Sequence, residues 1–198
     1  GIVGADGATH SGNFDISYLR CIPNIIIMTP SNENECYQML KTGFNFNGIC
    51  VVRFPRGHGI GAVINKKLNL LTIGKSEIIR TGKNIAILAF GPLLKTALEV
   101  AKELNATLVD MRFVKPIDEK MIKKCVANHK VLVTIEDNTI LGGAGSAVLE
   151  VISKNNLKCK TLCLGIPDNF VEHGTQEEIY KLCGLDKNSI IKRIVKQL

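Results

Sequence analysis

The sequence predicts an α/β fold in two units built on parallel sheets, and three observations carry that expectation. Strand-like runs of β-branched residues alternate with amphipathic segments of helical period along the chain. The 198 residues are 45% apolar, ample for packed cores. After Gly61 the alternation gives way to a polar stretch, Asn65-Lys66-Lys67-Leu68-Asn69, which reads as a linker between units.

Taken in order, Ile2-Val3 flanked by glycines reads as the tail of a strand over residues 1–4. Residues 15–21 have helical character after a polar loop. Ile22-Pro23-Asn24 ends them, because the residue before a proline avoids the helical region. Residues 24–28 form a buried strand by their β-branched content. A helix starts within residues 29–35: Ser31 can cap it, and Glu33 to Glu35 load the positive end of its dipole. It carries Cys36, Met39 and Leu40 inward and ends near Gly43. Residues 49–54 are a second strand, running into Pro55-Arg56-Gly57-His58-Gly59. Strand, helix, strand in this order makes a parallel pair whose functional loops lie at carboxyl ends.

The second unit has strand candidates at 73–79, 84–90, 106–110, 130–135 and 159–164, and helices at about 92–104, 118–127, 142–154 and 187–196. Leu94, Ala97, Leu98, Ala101 and Leu104 fall on one helical stripe and pack on a sheet. No internal repeat or low-complexity tract interrupts the pattern.

Several function classes fall away on composition. The longest apolar runs, such as Ile85-Ala86-Ile87-Leu88-Ala89-Phe90, are far short of the roughly 20 residues of a membrane span, so the chain is expected to be soluble. No cationic apolar leader opens it, and nothing signals export. The formal charge of +7 comes from lysines spread along the chain and not interleaved with aromatics, which argues against nucleic acid. Seven cysteines form no CxxC pair and are read as small buried hydrophobes in a reducing cytosol.

Chemistry concentrates in Asp6-Gly7-Ala8-Thr9-His10. Asp6 and His10 stand four apart in a glycine-containing loop that can turn both toward one small molecule, where a histidine beside a carboxylate is a tunable proton carrier. A turn in which Asp6 binds its own backbone and His10 is solvated fits the spacing equally. Arg53 and Arg56 bracket Phe54-Pro55 at a strand end. Guanidinium there suits phosphate or carboxylate, because its planar fork donates two parallel bonds. Anion binding is favoured for Arg56 and a structural role for Arg53, with an ion pair between units as the competing explanation. Gly142-Gly143-Ala144-Gly145-Ser146 opens a helix, where free amides could hold an anion, but close packing explains these glycines better. His58, His129 and His173 have no second ligand at metal-binding spacing and read as structural or surface residues.

Taken together, Ile2-Val3-Gly4-Ala5-Asp6-Gly7 with Thr9-His10, the run from Asp15 to Pro23, Pro30-Ser31-Asn32-Glu33-Asn34-Glu35 and Val52-Arg53-Phe54-Pro55-Arg56-Gly57 resemble the 1-deoxy-D-xylulose-5-phosphate synthase family of transketolase-like enzymes. Leu108-Val109-Asp110-Met111-Arg112-Phe113, Glu136-Asp137-Asn138 and Gly165-Ile166-Pro167-Asp168 with Gly174-Thr175-Gln176-Glu177-Glu178 extend the resemblance over the second unit. It implies that residues 1–64 are the later half of a pyrimidine-binding domain, 65–77 a linker and 78–198 a transketolase C-terminal domain.

What the resemblance implies for function is a thiamin diphosphate- and magnesium-dependent condensation of pyruvate with D-glyceraldehyde 3-phosphate, carried out in the cytoplasm by a homodimer and feeding isoprenoid, thiamin and pyridoxal synthesis. Asp6 and His10 would stand at the acceptor side, and Arg56 would hold the acceptor phosphate. The cofactor and Mg2+ would be held mainly by residues absent from this chain, with no metal site here, and the fragment alone would be inactive. A transketolase, the β-subunit of a 2-oxo acid dehydrogenase or a non-catalytic assembly module of this fold are the alternatives. No nucleic acid or membrane partner is expected.

Overall fold

A computed structural model describes residues 1–65 and 69–198 of the chain. Residues 66–68, inside the expected linker, lie outside the described residues. The elements are α1 (Asp15–Leu19), β1 (Ile25–Met28), α2 (Glu33–Phe44), β2 (Ile49–Val52), β3 (Glu77–Arg80), β4 (Ile85–Phe90), α3 (Leu94–Glu103) and β5 (Thr107–Asp110). They continue with β6 (Phe113–Lys115), α4 (Glu119–Asn128), β7 (Val131–Thr139), α5 (Ala144–Lys154), β8 (Lys160–Ile166), α6 (Gln176–Leu182) and α7 (Lys187–Val195).

Every residue of β4 is buried, so this strand must lie inside a sheet covered on both faces. The sheet order is β3-β5-β4-β7-β8, with β4 parallel to β5 and β7, β7 parallel to β8, and β3 antiparallel at the edge. The two-residue period of a strand then divides β4 between two cores. Ile85, Ile87 and Ala89 face Ala97, Val100 and Ala101 of α3 together with Ile190 and Ile194 of α7. Ala86, Leu88 and Phe90 face Ile122 of α4, Val148 of α5 and Ile16 of α1. Ile16 thus ties the first unit into the second unit's core.

The first sheet has the order β2-β1-β6, with β1 and β2 parallel and β6 antiparallel to β1. Strand β6 is short and was not anticipated, because three residues carry no readable period. It comes from the chain's second unit and completes the first unit's sheet.

Several expectations need correction. Residues 1–4 are not a strand: Gly4–Asp6 winds as a 3-10 turn, and Ile2 is buried with its carbonyl accepting from Arg56 N at 3.1 Å. Asn32, not Ser31, caps α2, accepting from Glu35 N at 3.0 Å, while Ser31 Oγ donates to Asp110 at 2.7 Å. The inward stripe of α2 is Glu35, Met39 and Thr42; Leu40, one residue off that stripe, is exposed. Strand β7 runs on to Thr139, because its polar end is buried between the units rather than left as a loop. Helix α6 also escaped the apolar period and is announced instead by a capping box between Thr175 and Glu178. Of the cysteines, Cys125 and Cys183 are buried, Cys21 is exposed, and the other four are half-buried free thiols.

Candidate functional site

The loop before α1 is wound from two 3-10 turns, Gly4–Asp6 and Ala8–His10, that meet at Gly7. Gly7 has φ +69°, a conformation that side-chain-bearing residues rarely adopt. Gly7 N donates to Gly4 O at 3.2 Å and His10 N to Gly7 O at 3.3 Å, so the turns fix the spacing of Asp6 and His10. Thr9 Oγ1 lies 3.0 Å from His10 Nδ1, which orients the imidazole and leaves its Nε2 directed away. His10 is exposed.

Arg56 follows β2 and joins this loop twice. Its backbone N binds Ile2 O, and its Nη1 forms an ion pair with Asp6 Oδ1. The guanidinium remains 66% exposed. The hydrogen bond from Arg56 holds the Asp6 carboxyl below the usual carboxylate range, and the positive charges of Arg56, His10 and His173 add to it. Asp6 in turn raises the Arg56 guanidinium. The structure therefore brings Asp6 and Arg56 into contact, with His10 on the same short loop.

The ion pair between units belongs to Arg53 instead. Arg53, only 4% exposed, pairs through Nη1 with the Asp137 carboxylate, and its Nη2 donates to Asp137 O and to Gly12 O at 3.0 Å each. The next residues of β7 extend the seam. Asn138 Oδ1 accepts from Ile16 N at 3.1 Å, and Thr139 N donates to Asn13 O at 2.7 Å. The polar ends of β2 and β7 thus grip both sides of the segment that follows the Asp6 loop.

Glu136 explains the glycine cluster. Ala144 N and Gly145 N at the start of α5 each donate to the Glu136 carboxylate at 2.7 Å, so the helix's anion is an internal one. Close packing contributes too, since a Cβ on Gly145 would lie 2.7 Å from Thr134 Oγ1. Burial pushes the Glu136 carboxyl up to about 7 even though both amides favour its charged form. Neither Asp137 and Asn138 as interface residues nor Glu136 as the internal anion of α5 was evident in the sequence; the available signal was a polar tripeptide directly after an apolar run and before glycines.

A second seam joins α2 to the C-terminal unit. Arg112 Nε and Nη2 donate to the two Glu35 oxygens at 2.8 Å each, and Nη2 also pairs with Glu77. Asp110 beside it accepts from Ser31 Oγ and from Arg112 N at 3.1 Å, and burial raises its carboxyl to about 7. A cleft of about 810 Å³ is lined by Tyr37, Leu40, Phe54 and Ile60 of the first unit and Lys95 and Tyr180 of the second, among others. His129 is structural: its Nε2 lies 2.7 Å from Thr107 Oγ1 and its Nδ1 2.9 Å from Cys125 O. Among the described residues, no group of three His, Cys, Asp or Glu side chains could hold a metal ion. None of the helices of the described residues is long and apolar enough to cross a membrane.

Comparisons with known proteins agree along the chain. Residues 1–59 match the transketolase pyrimidine binding domain, and residues 74–190 match the transketolase C-terminal domain. The chain is 56% identical over 195 residues to a curated 1-deoxy-D-xylulose-5-phosphate synthase of Psychromonas ingrahamii, covering 98% of this chain and 31% of that protein. It is also 56% identical over 199 residues to the synthase of Aeromonas hydrophila, covering 100% of this chain and 32% of that protein. The chain therefore spans about a third of the length of these relatives. Among solved structures, a split gene transketolase described as an inactive β4 tetramer superposes with a TM-score of 0.85 at 26% identity, over 96% of this chain and 62% of that one. A transketolase of Campylobacter jejuni gives a TM-score of 0.73 at 19% identity, over 98% of this chain and 29% of that one, a likeness of fold.

Proposed function

The chain belongs to the transketolase family, and on that premise we propose that it forms part of a thiamin diphosphate-dependent synthase that joins pyruvate, with loss of carbon dioxide, to D-glyceraldehyde 3-phosphate. The product is 1-deoxy-D-xylulose 5-phosphate, a precursor for isoprenoid, thiamin and pyridoxal synthesis. The protein works in the cytoplasm as a homodimer, and residues 1–64, 65–77 and 78–198 serve as partial pyrimidine-binding domain, linker and C-terminal domain.

One observation carries the reading of the site. Asp6 and Arg56, far apart in sequence, meet at the carboxyl end of the β1–β2 pair, where α/β folds bind ligands, with the guanidinium mostly open to solvent. A phosphate arriving there exchanges for the Asp6 carboxylate and takes two parallel bonds from the Arg56 fork. The freed Asp6 then accepts from an acceptor hydroxyl, and His10 moves a proton at the aldehyde oxygen. The cofactor, when bound, supplies the carbanion chemistry at pyruvate. In this reading its diphosphate and Mg2+, which ask for a clustered oxygen donor set, would be held mainly by residues outside this segment.

The test uses a polypeptide of the relatives' full length that carries this segment. Arg56→Ala raises KM for the phosphorylated aldehyde far more than for pyruvate; equal effects on both sink the phosphate assignment. The 198-residue chain alone shows no turnover and little thiamin diphosphate binding by calorimetry with Mg2+ present. The split gene neighbour, described as inactive, supports that expectation and favours a second reading, an assembly module of this fold without turnover. Sustained turnover by the chain alone removes the second reading.

A further inference from the structure

The C-terminal unit reaches across to the Asp6 loop. A Cβ built on Gly7 would lie 2.5 Å from His173 Nε2 and 2.6 Å from its Cε1, so the imidazole rests directly on the Gly7 backbone. Next to it, a Cβ on Gly4 would lie 3.1 Å from Gly174 O, and one on Gly57 would lie 3.1 Å from Gln176 Oε1. On the other flank, the rings of Phe14 and Phe170 meet edge to face with centroids 5.7 Å apart. Residues 170–176 therefore lie along the loop that carries Asp6 and His10 and along the glycine that follows Arg56.

This segment is anchored from behind. Val171 is buried in the core that α3 and α7 share, and Thr175 closes a capping box with Glu178, its N donating to Glu178 Oε2 at 2.8 Å. Between these anchors the His173 ring rests on Gly7 through its Nε2 edge, its Nδ1 lies 3.9 Å from Glu172 Oε2, and the side chain stays 69% exposed. An imidazole held on one side and open on the other is placed to contact a ligand, whereas a packing residue at this spot would be covered.

We propose that residues 170–176 of the C-terminal unit form the outer wall of the acceptor site, and that His173 is an acceptor-binding residue, its Nδ1, the ring nitrogen away from Gly7, hydrogen-bonding an oxygen of the phosphorylated aldehyde. The proposal rests on the acceptor-side reading of Asp6, His10 and Arg56. It gives the C-terminal unit a direct part in substrate selection, beyond buttressing the sheet. The glycines at positions 4, 7 and 57 then have a common reason: each lets the wall approach the site's backbone closely.

The test is steady-state kinetics in a polypeptide of the relatives' full length, with D-glyceraldehyde 3-phosphate and pyruvate varied in turn. One hydrogen bond to a charged ligand lost in His173→Ala raises the acceptor KM by about tenfold and leaves the pyruvate KM within about twofold. His173→Gln, which keeps a side-chain N–H, recovers most of that loss. An unchanged acceptor KM in His173→Ala overturns the proposal, as does an equal rise in both constants. Arg56→Ala run in parallel separates the two readings. If it raises the acceptor KM while His173→Ala is silent, the wall falls alone; if only His173→Ala acts, the phosphate assignment falls and the wall stands.

Discussion

Arg53 at the end of β2 and Asp137 near the end of β7 form a buried ion pair that fastens the two units together, the guanidinium binding both the Asp137 carboxylate and, at 3.0 Å, the Asp137 carbonyl. Both side chains are almost wholly enclosed. Removing one partner leaves the other charge buried without its counterpart, so Asp137→Ala is expected to destabilise the protein by about 3–5 kcal/mol. Chemical denaturation of the variant measures this. The double replacement Arg53→Met with Asp137→Leu should recover much of the loss, because no charge is then stranded. A loss below about 1 kcal/mol for Asp137→Ala would mean that the seam is open to water and the pair is worth no more than a surface one.

The same guanidinium holds the site in place. Arg53 Nη2 binds Gly12 O at 3.0 Å, and Gly12 lies two residues beyond His10. Arg53→Lys keeps the charge but presents a point ammonium in place of a planar fork, and so keeps the Asp137 contact while dropping the grip on Gly12. Turnover should fall by about tenfold or more from misplacement of the Asp6 loop. The measurement is kcat in a polypeptide of the relatives' full length, alongside the melting temperature. Unchanged kcat with lowered melting temperature would confine Arg53 to stability.

His10 carries the sharper kinetic expectation. Its ring is exposed, oriented by Thr9, and on the 3-10 turn that follows the one carrying Asp6. His10→Ala should lower kcat by roughly 10² or more if the imidazole moves a proton at the reacting oxygen. Turnover equal to that of the unaltered protein would leave His10 as a solvated turn residue.

How far the sequence was legible follows physical lines. The parallel strands of the second unit were readable because Ile85 to Phe90 is a continuous apolar run and Val131 to Ile135 is broken only by Thr134, the signature of strands buried on both faces. Arg56 was readable as a loop guanidinium beyond a strand end because Pro55 and Gly57 bracket it, whereas its pairing with Asp6 was not. Strand β6 and helix α6 were not, since three residues show no period and a short capped helix shows little. The seams were hidden for a different reason. Arg53 with Asp137, and Arg112 with Glu35, become partners only when two sheets are set side by side, and nothing in the local pattern around Asp137 says that its partner stands at position 53. His173 is exposed, in keeping with its reading as a structural or surface residue, but its contact with Gly7 was hidden because the two are distant in sequence.

The two seams also make stability depend on pH in a definite direction. Asp110 and Glu136 sit in opposite seams, and burial lifts each carboxyl from the ordinary carboxylate range to about 7 in the folded protein. Between the ordinary value and 7 the folded state therefore holds more protons than the unfolded chain, and raising the pH pulls the equilibrium toward unfolding. The stability these two groups contribute is fully present below about pH 4 and lost as the pH rises through 7. Carboxyls that hydrogen bonds depress, such as Asp6 and Glu178, act in the opposite sense and only in acid, but the Gly1 amine, which burial lowers, opposes the buried pair within the window from about pH 5 to 8, so the Glu136 variant is needed to single out that carboxyl. The denaturant midpoint should fall across that window, with a loss on the order of 1–3 kcal/mol. Glu136→Gln keeps the shape and removes the ionisation, but it accepts only one of the amides from Ala144 and Gly145, which bind different oxygens, so the variant should be less stable at every pH while its slope flattens by the share of Glu136. A midpoint that rises from pH 5 to 8, or a slope untouched by Glu136→Gln, would show that Glu136 enters the folded state already charged, with the two amides at the start of α5 outweighing its burial.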